Sequence, residues 1–276
     1  MAEAEARVVE AGTLVEYQAL DGVCVLTLND PPANTYSYQM MQQLDARILE
    51  ARMDESVQVI VITGSGEKFF CAGANIAMLG EVTPEFKYYF CLHANETLNR
   101  LEQTPKLVIA ALNGHTVGGG LEVALAADIR IARKDAGKIG LPEVGLGVLP
   151  GTGGTQRLAR LVGKARAIEL MATGRLMTMT DAHALGIVTE VWGPDELQGR
   201  DFKAAVTDYA KQFTPPHKAS RAVGRLKRAV QSGAEAGLLE GLSIERELQQ
   251  LLFQSDDARE GIAASLEKRK PVFKGT

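Results

Sequence analysis

Two glutamates and two glycine-rich turns carry the chemistry in this sequence. Glu122 stands in the first turn of a helix that opens on three glycines, in "GHTVGGGLEVAL" (114–125). Glu143 stands in a Gly/Pro-rich loop, "IGLPEVGLGVLPG" (139–151). Two carboxyls around one water are a general acid–base device. In a dry pocket they cannot both be comfortably ionised, so one serves as acid and the other as base. Their titration would be coupled, so sequence assigns no individual values. A second small-residue loop, "FFCAGANIAML" (69–79), follows the apolar run "VIVITG", as the triple-glycine loop follows "VIAALN". Each strand end exposes backbone N–H groups, and small residues let a substrate oxygen come within hydrogen-bond distance. One N–H from each loop makes an oxyanion hole, where a single donor is worth about 3–4 kcal/mol in the transition state. The second donor also sits at a helix N-terminus, where the dipole favours negative charge. Glycine weakens a helix interior. Three at a helix entrance therefore mark a backbone that something approaches closely. Taken singly, each acid has a plainer reading: Glu122 as a first-turn acid favoured by the dipole, Glu143 as a loop acid in solvent.

Other chemistry is thin. There is no G-x-S-x-G nucleophile elbow. "GKA" (163–165) is not a phosphate loop, and "PGTGGTQ" (150–156) has the wrong spacing for a dinucleotide fingerprint. His93, His115, His183 and His217 form no metal-ligand pattern, so no metal is expected. Cys71 has no histidine partner at a recognisable spacing and reads as a small packing residue rather than a nucleophile. Lys218, Arg221, Arg225, Lys227 and Arg228 gather in "KASRAVGRLKRAVQ" (218–231) without interleaved aromatics. They read as a solvated helix face, so no nucleic-acid partner is expected. An RNA-binding or scaffold role stays open as the reading from another class.

The elements that must hold these residues follow from periodicity. "TLVEYQALDGVCVLTLND" alternates around Asp21-Gly22 and predicts a hairpin. Ser37 caps a helix with Met40, Met41, Leu44, Ile48 and Leu49 on one face. Runs 57–64 and 106–114 read as buried strands, "DIRIA" as a third, and a long helix opens at Pro84. Strand and helix in alternation predict an α/β protein with crossovers and a largely parallel sheet. After Gly153 helical periodicity dominates, broken by "GIVTEVW" (186–192), and "FTPPH" (213–217) is the best local boundary.

The 276 residues carry a net charge of −4, with 46% apolar and 23% charged residues. That describes an ordinary soluble protein with a full core, not a charge-driven nucleic-acid binder. Cys24, Cys71 and Cys91 are too few for a disulfide framework and fit a reducing compartment. No run reaches membrane-spanning length, and "MAEAEARVVEAG" lacks the order of a signal peptide. A cytoplasmic location, no membrane partner and a frayed stretch over residues 1 to about 10 are the expectations.

At the motifs quoted above the chain resembles the crotonase superfamily, and most closely the enoyl-CoA hydratases. "CAGANI" resembles the first oxyanion loop of that family, and "NGHTVGGGLEVALAADIRIA" the second with its glutamate. "GLPEVGLGVLPGTGGTQRLARLVG" resembles the loop with the second glutamate, and "VCVLTLNDPPANTYS" and "EGIAASLEKRKPVFKG" also match. The resemblance implies a core of ββα turns in a spiral over 1–195 and a helical region over 196–276 that makes a homotrimer, or a homohexamer of two trimers. It implies an acyl-CoA thioester substrate, with CoA part of the substrate and no separate cofactor. It puts the thioester oxygen on the N–H groups of Ala74 and Gly119, with Glu122 as base and Glu143 as acid. Substrate contacts would come from Ala33, Ala72, Asn75, Ile76, Leu141 and Gly151, and from Lys268 of a neighbouring copy to a CoA phosphate. Four positions depart from the pattern: Asn75 where aspartate is common, Leu141 where some hydratases have glutamine, Pro32 where lysine is frequent, and Ser265 for a larger residue. An isomerase of the same family usually needs only the Glu143 position; it, or another crotonase activity on a CoA thioester, remains the nearest alternative. Tyr36, Tyr88 and Tyr89 are candidates for an acyl pocket.

Overall fold

The computed structural model describes residues 12–276. The expected frayed N-terminus lies outside the described residues. The chain enters as a hairpin, β1 (Val15–Leu20) and β2 (Val23–Leu28), paired antiparallel. Asp21 (φ 51°) and Gly22 (φ 82°) both take the left-handed conformation that a two-residue primed turn demands. Helix α1 (Tyr38–Met53) follows, its first turn capped by the Ser37 side chain, which accepts from Met40 N–H. Met40, Met41, Leu44 and Ile48 are buried as the spacing predicts. Leu49 is not: it is 38% exposed, and Ala51 takes the inward place.

Three ββα turns then stack. The first is β3 (Val59–Gly64), β4 (Phe69–Cys71), α2 (Ile76–Glu81) and α3 (Pro84–Glu102). The second is β5 (Leu107–Leu112), β6 (His115–Val117) and α4 (Gly119–Leu125). The third is β7 (Ile129–Arg133), β8 (Lys138–Gly140), a 3-10 turn at Glu143–Leu146, α5 (Gly154–Val162) and α6 (Lys164–Thr173). β9 (Met177–Thr178), α7 (Met179–Ala184), β10 (Glu190–Trp192), α8 (Pro194–Leu197) and α9 (Phe202–Lys211) close the core. α10 (Ser220–Ala234), α11 (Leu238–Phe253) and α12 (Asp256–Leu266) finish the chain.

The first strand of each turn joins a six-stranded sheet in the order β1-β2-β3-β5-β7-β10. The second strands form another sheet, β4-β6-β8-β9. This is the spiral that the family resemblance implies, and it differs from the single sheet that periodicity suggests. Strands of two or three residues are too short to show a period, so β4 disappears into what reads as a loop over 69–79.

β3 and β5 are buried at every position, and apolar but for Thr63 and Gly64, because helices cover both faces of their sheet. Successive side chains point to opposite faces. Ile60, Ile62, Val108 and Ala110 pack with Met40, Leu44, Phe90 and Leu98 on one side. Val59, Val61, Ile109 and Ala111 pack with Phe202, Val206 and Ala210 of α9 on the other. α9, although it lies past residue 195, thus shares a core with the sheet.

One reading of the helical region needs correction. Lys227 is not on a solvated face. Its ammonium is buried, 2.8 Å from Asp128, and also donates to Lys106 O. Burial pushes Asp128 up and Lys227 down, and the attraction between them opposes both shifts.

Candidate active site

The three glycines before Glu122 are each required by a different neighbour. Gly118 caps α4 at φ 59°, a conformation open to glycine and costly for other residues. A Cβ there would stand 3.2 Å from Glu143 Oε1. A Cβ on Gly119 would overlap the Tyr36 hydroxyl at 2.1 Å, and one on Gly120 would meet Cys71 O at 2.0 Å. The close approach that the sequence signals is therefore made first by the protein's own groups. It packs the head of α4 onto β4 and onto Tyr36.

The two candidate oxyanion amides are neighbours. A Cβ on Gly73 would lie 2.9 Å from the Gly119 nitrogen, which puts the loop after β4 against the head of α4. Tyr36 N–H donates to Gly73 O, and Asn75 N–H donates to Tyr36 O, in a parallel bridge that uses the residues on either side of Ala74. The Ala74 N–H is left over. Gly119 N–H is one of the first-turn amides that no helix can satisfy internally. Among the described residues neither amide meets a protein acceptor.

The two acids sit in unlike surroundings. Glu122 is buried in α4 and only 2% exposed. Its Oε1 accepts from Thr152 N–H at 2.8 Å and from Gly154 N–H at 2.7 Å, and its Oε2 accepts from the Thr152 hydroxyl. An ionised carboxylate is an acceptor only, and all three partners are donors. Gly154 must be small for this, since a Cβ on it would lie 3.0 Å from Glu122 Oε1.

Glu143 opens the 3-10 turn, half-buried, with Oε2 enclosed and without a partner among the described residues. Burial pushes its carboxyl up to about 7; a backbone hydrogen bond pulls it down, the Glu122 charge adds to the rise, and Lys87 opposes it. The geometry thus brings together a carboxyl group held by three donors and a carboxyl that holds its proton near neutrality. That contrast suits one base and one acid.

Residues 18–276 match the family model described as enoyl-CoA hydratase/isomerase. The chain belongs to the enoyl-CoA hydratase/isomerase family. It is similar to a Geobacillus kaustophilus HTA426 enoyl-CoA hydratase of known crystal structure, with 42% identity and a TM-score of 0.91 over 97% of this chain and 98% of that one. It is 37% identical to the short-chain-enoyl-CoA hydratase of Clostridium acetobutylicum over 90% of this chain and 92% of the relative. It is 38% identical to the enoyl-CoA hydratase/isomerase YngF of Bacillus subtilis over 92% and 95%. Such relatives make this chain an enzyme of the hydratase-like branch of the crotonase superfamily.

The other residues that the family resemblance points to are scattered more widely. Ala72 N–H donates to Ala33 O at 3.1 Å, which ties the loop after β2 to the Ala74 loop, and both alanines are half-buried. Asn75 caps α2, accepting from Met78 N–H, a task asparagine performs as well as aspartate. Ile76 is 64% exposed beside it. Gly151 faces the Cys91 thiol, 2.9 Å from where its Cβ would be. Leu141 is 3% exposed, packed in the main core. Lys268 is exposed beyond α12, a helix that packs on α11, and Ser265 is exposed nearby. Tyr88 and Tyr89 are exposed on α3, whereas Tyr36 is buried beneath Gly119. The Cys71 thiol is buried and pushed up to about 12 by that burial, which suits packing and not nucleophilic attack. Sequence reasoning missed Thr152, and it named Tyr36 only as a candidate for an acyl pocket, not as the support beneath Gly119. The one available signal was the position of Thr152, next to Gly151. Among the described residues no cluster of His, Cys, Asp or Glu is placed to hold a metal ion, and no helix is long and apolar enough to cross a membrane.

Proposed function

We propose that this chain is an enoyl-CoA hydratase that adds water across the 2,3-double bond of a 2-enoyl-CoA to give a 3-hydroxyacyl-CoA. The observation that carries the reading is the split between the acids: Glu122 held by three donors, Glu143 protonated near neutrality with a free oxygen. Ala74 and Gly119 N–H groups bind the thioester oxygen and stabilise the charge that gathers there as the double bond is attacked. Glu122 takes a proton from water as the water oxygen bonds to C3. Glu143 gives its proton to C2 as the enolate collapses. The product gains one H and one OH, and proton exchange with solvent returns both carboxyls to their starting forms. Relatives named for crotonyl-CoA and short-chain enoyl-CoA favour a short acyl group.

The exposed apolar residues Leu238, Leu239 and Phe253 on α11 and Leu266 on α12 support an assembly of identical copies, a trimer or two trimers. Lys268 would then reach the CoA phosphates of a neighbour. The test of activity is direct. Crotonyl-CoA should lose its conjugated-enoyl absorbance with the enzyme, and 3-hydroxybutyryl-CoA should accumulate. Turnover of a β,γ-enoyl-CoA to the conjugated isomer without hydration of crotonyl-CoA would make the chain an isomerase instead, a reading that the double name of YngF keeps in view.

A further inference from the structure

The hydroxyl of Thr152 exchanges no proton with substrate or water in the steps above, yet it touches the proposed base. We propose that Thr152, itself held by Tyr36, is a positioning residue that leaves Glu122 a single acceptor site and fixes where it points. The proposal rests on the hydratase reading.

A carboxylate offers about four acceptor sites over its two oxygens. Thr152 N–H and Gly154 N–H occupy both sites of Oε1. The Thr152 hydroxyl occupies one site of Oε2. One site on Oε2 remains for water. A hydroxyl carries one proton on a free rotor, so something must aim it. The Tyr36 hydroxyl lies 3.3 Å from Thr152 Oγ1. Burial, with the Glu122 charge adding to it, holds the Tyr36 phenol well above its ordinary range, so it is a neutral donor. A chain that ends on a carboxylate can run in one direction: Tyr36 donates to Thr152, and Thr152 donates to Glu122.

Tyr36 is fixed in turn. Its ring packs against Phe90 at 5.9 Å between centroids, and its hydroxyl fills the space where a Cβ of Gly119 would be. One tyrosine therefore supports both the oxyanion turn and the hydroxyl that sets the base. This couples the two halves of the site, so a shift at Gly119 is felt at Glu122.

Thr152→Val keeps the side-chain shape and removes the hydroxyl. Its kcat for crotonyl-CoA hydration should fall about ten- to a hundredfold, with KM little changed, because the lost bond is one to a charged group. The acidic limb of its kcat profile should move to higher pH, since a carboxylate that loses a donor holds its proton more tightly. Thr152→Ser should restore both, and Tyr36→Phe should show a smaller loss of kcat in the same direction. Wild-type kcat and pH limb in Thr152→Val would overturn the proposal. If that variant does not fold, wild-type kcat in Tyr36→Phe would do the same.

If the wild type hydrates no enoyl-CoA, the hydratase reading fails by itself. Crystal structures of wild type and Thr152→Val then judge the positioning without turnover. A single Glu122 conformer in the wild type and two in the variant supports it. The same single conformer in both overturns it.

Discussion

Glu143 is the residue whose environment makes the sharpest prediction. A general acid acts only in its protonated form, and burial brings the Glu143 carboxyl up to about 7. Its acid form is complete below that pH and is lost above it. The pH profile of kcat/KM, which reports the free enzyme, should therefore fall as pH rises through about 7. Glu143→Gln should abolish that limb and cost roughly 100- to 10,000-fold in kcat, the usual range for a positioned acid. A profile flat across neutrality would show that Glu143 transfers no proton. Sequence shows the two glutamates and their loops plainly, because glycine and proline punctuate them. The two residue types alone do not say which is acid and which is base; only the family resemblance gives Glu122 as base and Glu143 as acid. The unlike surroundings that suit those proposed roles, three donors on Glu122 and an unpartnered oxygen on Glu143, depend on contacts between separate turns of the spiral.

At the scale of elements, α4 is the piece on which the site depends. It holds Glu122, offers the Gly119 amide and seats against β4 through Gly120. Gly120→Ala would put a methyl 2.0 Å from Cys71 O, a backbone atom that cannot swing aside. The helix head must then move off β4. We expect a stability loss of about 1–3 kcal/mol or more, as for other overpacked cores, with activity lost alongside. Thermal unfolding and a hydration assay check this, and unchanged values in both would refute the packing argument. Long or capped elements were readable in advance. The Asp21-Gly22 hairpin, the Ser37 cap and the helix start at Pro84 each have a local chemical cause. β4, β6, β8 and β9 were not readable, because two or three residues show no period and their pairing is set by the neighbouring turn. Lys227 was misread for a similar reason. Its burial depends on Asp128, about a hundred residues away, and helical spacing carries no trace of that partner.

For the whole molecule, the spiral explains why the chemistry gathers in one place. Each ββα turn ends its strands on the same side, so the loop after β4, the head of α4 and the turn after β8 converge although 45 residues separate Ala74 from Gly119 and 24 separate Gly119 from Glu143. One sheet builds the core while the other carries the reactive loops. The account predicts where a thioester must sit in that convergence. A crystal structure with bound butyryl-CoA, a saturated analogue that cannot be hydrated, tests this most directly. The thioester oxygen should accept hydrogen bonds from the Ala74 and Gly119 amides, with C2 and C3 lying between the carboxyls of Glu122 and Glu143. A carbonyl oxygen bound elsewhere, or an acyl chain directed away from both acids, would contradict the account.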